Sequence, residues 1–182
     1  MKHIRRSLNQ CGAEICGAKL PSVHLHFHNL NVKHLHDYFP TGKVILLYRQ
    51  SIADQFLSHK MALLTNRWRV TNGQGPMPPS KKVQLDRAEF LKYAAQIKQF
   101  YSSTLASDGL RSYTTLISYE ELVADPRELF ETKLFPFLGV APTVISTNQV
   151  KGIKDHPSKV VENYERVRDF WENPEFIQEY RL

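Results

Sequence analysis

The stretch Lys43-Val44-Ile45-Leu46-Leu47-Tyr48-Arg49-Gln50-Ser51-Ile52-Ala53-Asp54-Gln55-Phe56-Leu57-Ser58 decides how this chain is read. Its opening is an apolar, β-prone run of the kind that forms a buried strand. Ser51 then stands where a helix N-cap is needed, and Asp54 follows at capping-box spacing. Strand therefore gives way to helix across a very short turn, the repeating unit of an α/β sheet. Arg49 leaves the strand at its carboxyl end, and Ser58 lies about two turns into the helix. Open α/β sheets take ligands at that end, beside the N-termini of the following helices. The planar donor fork of Arg suits phosphate, and the free N–H groups of the helix start add to it. The competing reading pairs Arg49 with a carboxylate and leaves Ser58 an ordinary helix serine.

On either side of this unit, apolar β-prone runs alternate with longer amphipathic stretches, as in an α/β domain with parallel strands. A short strand is predicted within Ala13 to Leu20, punctuated by Gly17, and a short helix over Leu30 to Phe39, ended by Pro40-Thr41-Gly42. The helix after Ser51 runs to about Leu64. Val70 to Lys82, rich in glycine and proline, reads as a loop. Phe90, Ala94, Ile97 and Tyr101 recur at helical spacing from Asp86 to about Leu105. Ser112 to Ser118 is another strand, Asp125-Pro126 starts a helix that Gly139 closes, and further helix covers Pro157 to Trp171 and Pro174 to Tyr180. No repeat breaks the pattern, so residues 1–182 are taken as a single domain.

Composition narrows the function classes. The 182 residues are 42% apolar and 11% aromatic, which argues for a packed core rather than disorder. No apolar run is long enough to span a membrane, and the basic start lacks the apolar stretch of a secretory signal. Cys11 and Cys16 match no zinc or redox spacing, so a reducing, cytoplasmic setting is the default, with a membrane or Golgi placement open if an upstream segment exists. A net charge of +6 favours an anionic partner. The basic residues are scattered and no nucleic-acid motif is present, so a small phosphorylated ligand is expected rather than a polynucleotide.

Read together, these segments resemble the PAPS-dependent sulfotransferases (PAPS, 3′-phosphoadenosine 5′-phosphosulfate), in particular the bacterial and nodulation-type enzymes. The strand ending in Arg49 with Ser58 on the next helix is similar to that family's 3′-phosphate motif. Leu116-Ile117-Ser118-Tyr119-Glu120-Glu121-Leu122, followed by Asp125-Pro126 and Phe137-Leu138-Gly139, resembles its strand, Tyr-Glu-x-Leu and Phe-Leu-Gly series. Lys151-Gly152-Ile153-Lys154 and Val160 to Val167 resemble its lysine-containing loop and following helix. Gly17-Ala18-Lys19-Leu20 resembles a Gly-x-Lys strand that precedes the 3′-phosphate segment. The likeness is collinear from about Cys16 onward, and the Arg-Lys-Gly loop of the animal cytosolic enzymes is not part of it.

The resemblance implies a P-loop-NTPase-like, three-layer α/β/α fold with a parallel sheet. It implies that Arg49 and Ser58 hold the 3′-phosphate of PAPS, that Tyr119 meets the adenine, and that Lys19, Lys151 and Lys154 are further cofactor contacts. Solvated loop lysines are the alternative for the last two. Glu120 is expected to be structural, fixing a neighbouring loop. The residues before Gly17 contain no Pro-x-Ser-Gly-Thr or Arg-Ser-Gly-Thr loop, so the first strand and 5′-phosphosulfate loop are expected to be missing from this stretch. His24 is the candidate general base, because an imidazole suits proton removal from an acceptor hydroxyl. The implied activity is sulfuryl transfer from PAPS to a hydroxyl or amine of a carbohydrate, a lipid-linked sugar or a small metabolite.

Two further readings stay open. One is a non-catalytic module of the same descent that binds adenosine 3′,5′-bisphosphate (PAP) or another partner. The other is a metal-binding protein using His24, His26, His28, His34 and His36, since alternate histidines on a strand can converge on a transition metal. No metal is expected in the leading reading. Met61, Leu63, Leu64 and Trp68 are candidate linings of an acceptor pocket, and core packing is the alternative for the first three.

Overall fold

The computed structural model describes residues 15–22, 25, 28, 30–69, 71, 82–107, 109–147, 153 and 155–181. Most of the Val70–Lys82 loop, His24, His26, Lys151 and Lys154 therefore lie outside the described residues. Contacts gather the chain into two compact units, Met1–Val44 with Phe100–Thr114, and Ile45–Gln99 with Thr115–Leu182.

In the first unit, helix α1 (Val32–Tyr38) is shorter than predicted because its entry is set by a reciprocal cap. The side chain of Asn31 accepts from His34 N at 2.9 Å, and His34 Nδ1 accepts from Asn31 N at 3.1 Å. The helix stops at the predicted Pro-Thr-Gly turn. Gly42 N donates to Phe39 O at 2.8 Å, and a Cβ at Gly42 would stand 3.0 Å from that oxygen. His36 stacks on Tyr113, with ring centroids 3.7 Å apart. The predicted strand is not formed: residues 16–20 carry no regular structure, and Gly17, Ala18 and Lys19 are exposed. A strand exists only by pairing, and this segment has no ladder partner among the described residues. Cys16 is disulfide-bonded.

Two parallel strands, β1 (Val44–Tyr48) and β2 (Thr114–Ser118), lie side by side, and all but their first residues belong to the second unit. The chain is thus α/β, with a two-stranded parallel sheet among the described residues. Strand β1 is not buried on both faces as its apolar run suggested. Leu46 and Tyr48 point inward, while Ile45 and Leu47 are 39% and 42% exposed. Helix α2 (Ile52–Thr65) follows and ends at Asn66, whose left-handed backbone closes it. Helix α3 (Arg87–Leu105) has Phe90 and Ala94 on its buried face.

Phe90 is the centre of the core. It is fully buried, stacks on Phe170 at 3.9 Å, and meets Phe176 and Phe56 at 4.7 and 5.5 Å between centroids. After β2 come α4 (Tyr119–Ala124) and α5 (Pro126–Leu129), the latter capped by Asp125 through Glu128 N at 2.9 Å. A π-helical segment, Phe130–Leu134, joins α5 to α6 (Phe135–Leu138). Pro136 supplies no N–H to the ladder, and the wider π turn accommodates that gap. Gly139, at φ 75°, closes α6 as its position predicted.

The helix expected over Pro157 to Trp171 is broken into α7 (Pro157–Val160), α8 (Tyr164–Val167) and α9 (Asp169–Glu172). Long-range bonds outcompete the helix at the breaks. Val83 N donates to Val160 O and Glu162 N to Val83 O, both at 2.9 Å. Asn163 then clamps Leu85, accepting from its N at 3.0 Å and donating to its O at 2.8 Å. A 3₁₀ turn, Pro174–Phe176, and an extended segment follow where helix was expected to Tyr180. Among the described residues no helix is long and apolar enough to cross a membrane.

Phe90→Ala should destabilise the chain by about 3–5 kcal/mol, the cost of truncating a buried aromatic. Leu63→Ala, at a position 55% exposed, should stay within about 0.5 kcal/mol of wild type. Urea melts of both variants check the contrast.

Candidate functional site

Adjacent parallel strands end on the same side of a sheet. The residues just after β1 and β2, Arg49 and Tyr119, are thereby brought face to face. The guanidinium carbon of Arg49 lies 4.0 Å from the centroid of the Tyr119 ring. Arg49 Nη1 also donates to Ser58 Oγ at 3.4 Å, so the strand-end arginine and the helical serine do meet. All three side chains are half-buried.

The alternative of an arginine paired with a carboxylate is not what the chain builds. Among the described residues no carboxylate forms an ion pair with Arg49. A guanidinium carries five N–H donors, and one of them goes to Ser58. The remaining fork is available to an oxyanion. Near it, Tyr93 is pushed up to about 12 by burial, with the charge of Arg49 opposing that rise.

The turn that carries Arg49 is held on both sides. Ser51 caps α2, its hydroxyl accepting from Asp54 N at 3.0 Å. The other half of the expected capping box is replaced, because Asp54 Oδ1 accepts instead from Trp171 Nε1 at 2.8 Å. Glu120 has the loop-fixing role expected of it, accepting from Gln50 N at 2.9 Å. One turn before Ser58, Gln55 Oε1 is buried with no hydrogen-bond partner among the described residues.

No family model, curated protein or solved structure matches this chain. Of the residues singled out in the sequence, Arg49, Ser58 and Tyr119 are brought together. Lys19 is exposed and belongs to the first unit. His24, Lys151 and Lys154 lie outside the described residues. Met61 is a core residue, 1% exposed, which is the packing alternative expected for it. Leu63, Leu64 and Trp68 are exposed, with Trp68 against His59 at 5.8 Å between ring centroids.

The histidines with described neighbours have structural roles: His34 caps α1 and His36 stacks on Tyr113. Among the described residues no group of three or more His, Cys, Asp or Glu could hold a metal.

Sequence reasoning missed Gln178, which is 4% exposed and touches the Arg49 turn. The sequence carried no signal for it: Phe176 and Gln178 are buried while Ile177 and Glu179 are exposed, so a polar residue faces inward beside an apolar one that faces out.

The start of α4 is secured by a full capping box. Ser118 Oγ accepts from Glu121 N at 3.0 Å, and Glu121 Oε2 accepts from Ser118 N at 2.6 Å. The Ser118 N–H holds the Glu121 carboxyl below its ordinary value of 4.5. A lowered folded-state value stabilises the protein above the unfolded value, and that contribution disappears as pH falls through the folded one. Urea melts of wild type and Glu121→Gln should therefore differ most near pH 7 and converge as pH falls below 4.5.

Proposed function

We infer that the Arg49 site binds a phosphate group of a nucleotide, and that the chain is a sulfotransferase-family domain whose ligand there is the 3′-phosphate of PAPS. The observation that carries this reading is a half-buried arginine at the carboxyl end of a parallel strand, set between Tyr119 and Ser58 with no carboxylate partner among the described residues. In this reading Arg49 and Ser58 supply charge-assisted hydrogen bonds to the phosphate, and the start of α2 adds its dipole. Tyr119 holds the guanidinium on one face and offers the other to the adenine.

The reaction in this reading is transfer of a sulfuryl group. An acceptor hydroxyl or amine forms a bond to sulfur, the bond from sulfur to the 5′-phosphate oxygen breaks, and PAP leaves with that electron pair. The acceptor's proton goes to a base, for which His24 is the candidate. The wider P-loop-like α/β/α architecture, and the contacts from Lys19, Lys151 and Lys154, belong to the same proposal. Its acceptor is a carbohydrate, a lipid-linked sugar or a small metabolite.

Calorimetric titration with PAP tests the binding step. Wild type should bind, Arg49→Ala should weaken binding by about 10–100-fold, and Ser58→Ala by a few-fold. Arg49→Lys should not restore it, since a point charge replaces a planar fork. No heat with folded wild type, or Arg49→Ala equal to wild type, overturns the reading. Sulfate transfer from PAPS, assayed on the full reading frame, separates an enzyme from a non-catalytic relative.

A further inference from the structure

The backbone of Arg49 and Gln50 lies between a strand and a helix, so neither ladder satisfies all of its polar groups. Three bonds from distant parts of the chain do. Gln178 Nε2 donates to Arg49 O at 3.0 Å, Gln178 N donates to Gln50 O at 2.7 Å, and Gln50 N donates to Glu120 Oε2 at 2.9 Å. Gln178 thus grips two consecutive carbonyls, one with its side chain and one with its backbone. Ser51 and Ile177 form an antiparallel bridge beside it, so Ile177 and Gln178 lie along the turn as a short added strand.

The chemistry of the amide fixes its orientation. A carbonyl oxygen can only accept, so the nitrogen end of Gln178 must face Arg49 O. Its oxygen end accepts from the hydroxyl of Tyr180. Tyr180 packs edge-on against Tyr48, the last residue of β1, at 5.2 Å between centroids. Burial pushes the Tyr180 phenol up to about 12, which keeps it a donor. Gln178 is 4% exposed, and a buried amide with both ends engaged has one orientation available. The carbonyl of Arg49 is thereby fixed, and with it the direction in which the side chain leaves the backbone.

We propose that Gln178 is a positioning residue for the Arg49 anion site, aiming the guanidinium by holding the carbonyls of Arg49 and Gln50. The claim about aim stands on the contacts themselves; its consequence for ligand rests on the reading of Arg49 as a phosphate ligand. Gln178→Glu separates positioning from simple packing. Its carboxylate cannot donate to Arg49 O, whereas its protonated form can.

The experiment has two arms. In the ligand-free arm, the Nε–H resonance of Arg49 is followed by NMR, because the Tyr119 ring beneath the guanidinium should shift it upfield. Gln178→Ala, folded by circular dichroism, should move that signal toward the value of an unstructured arginine. In the ligand arm, PAP titrations at several pH values compare Gln178→Glu with wild type. Affinity of the variant should fall about tenfold near neutral pH and recover relative to wild type as pH is lowered. Should Gln178→Ala not fold, Tyr180→Phe, which removes only the bond to the amide oxygen, takes its place in the ligand-free arm with a smaller shift.

An unmoved Arg49 signal in the folded variant overturns the proposal. So does a variant-to-wild-type affinity ratio that stays flat with pH. If wild type binds no PAP but the Arg49 signal moves, positioning is upheld and the phosphate reading is what fails.

Discussion

The short turn from Arg49 to Ser51 is the constraint on which the second unit depends. A buried or half-buried backbone group without a partner costs about 1–3 kcal/mol, and a strand-to-helix turn exposes several such groups. Here they are met by Glu120, from the start of α4, and by Gln178, far along the chain. Both partners reach one turn, so the ends of β1 and β2 and the Ile177–Tyr180 segment share a single arrangement. The Arg49 site is therefore a product of tertiary structure, although its two best-defined residues are close in sequence.

The aromatic core explains how Gln178 is delivered to that turn. Phe170 and Phe176 both pack on Phe90, which places the residues after Phe176 beside the start of α2. Arg87 reinforces this from the surface, forking onto Asp169 at 2.7 and 2.8 Å and donating to Arg166 O at 3.0 Å. Exposed ion pairs are worth little each, but this one is bidentate and also reaches a backbone carbonyl. Trp171, bonded to Asp54, joins the same segment to the first turn of α2. Apolar burial supplies the stability, and the polar links supply the register.

What was legible in the sequence was whatever is decided locally. The strand ending at Tyr48, the caps at Ser51 and Asp125, the stop at Gly139 and the inward face of α3 all follow from neighbours within a few residues. The meeting of Arg49 with Ser58, two turns into the 14-residue α2, was left open by spacing, which also allowed Ser58 as an ordinary helix serine. What was not legible depends on partners far away. Val160 and Val161 read as helix until Val83 pairs with them, and Asn163 reads as a surface residue until Leu85 arrives. Met61 is as suitable for a pocket as for a core, and only the packing of α2 chooses. Ile45 and Leu47 promised burial on both faces of β1, which a two-stranded sheet does not provide. Gln178 carried no signal, because it is a polar residue buried beside an exposed Ile177, and the proline-led segment before it favoured helix.

The environment of Arg49 gives the energetic argument for a ligand. Removing a guanidinium partly from water carries a cost that a carboxylate partner would normally offset. The face of Tyr119 returns about 0.5–1 kcal/mol at a partly exposed position, and a 3.4 Å bond to Ser58 is at the long end of useful geometry. Neither compensates fully. The protein nevertheless fixes this side chain from both sides of its turn, with Glu120 and Gln178 holding backbone and Tyr119 holding the ring face. Rigid placement of an under-compensated cation makes sense where an anion completes the set, because the entropy of ordering the donor has already been lost before the ligand arrives. A lysine would gain less from the same scaffold, since its rotating ammonium has no plane to be held.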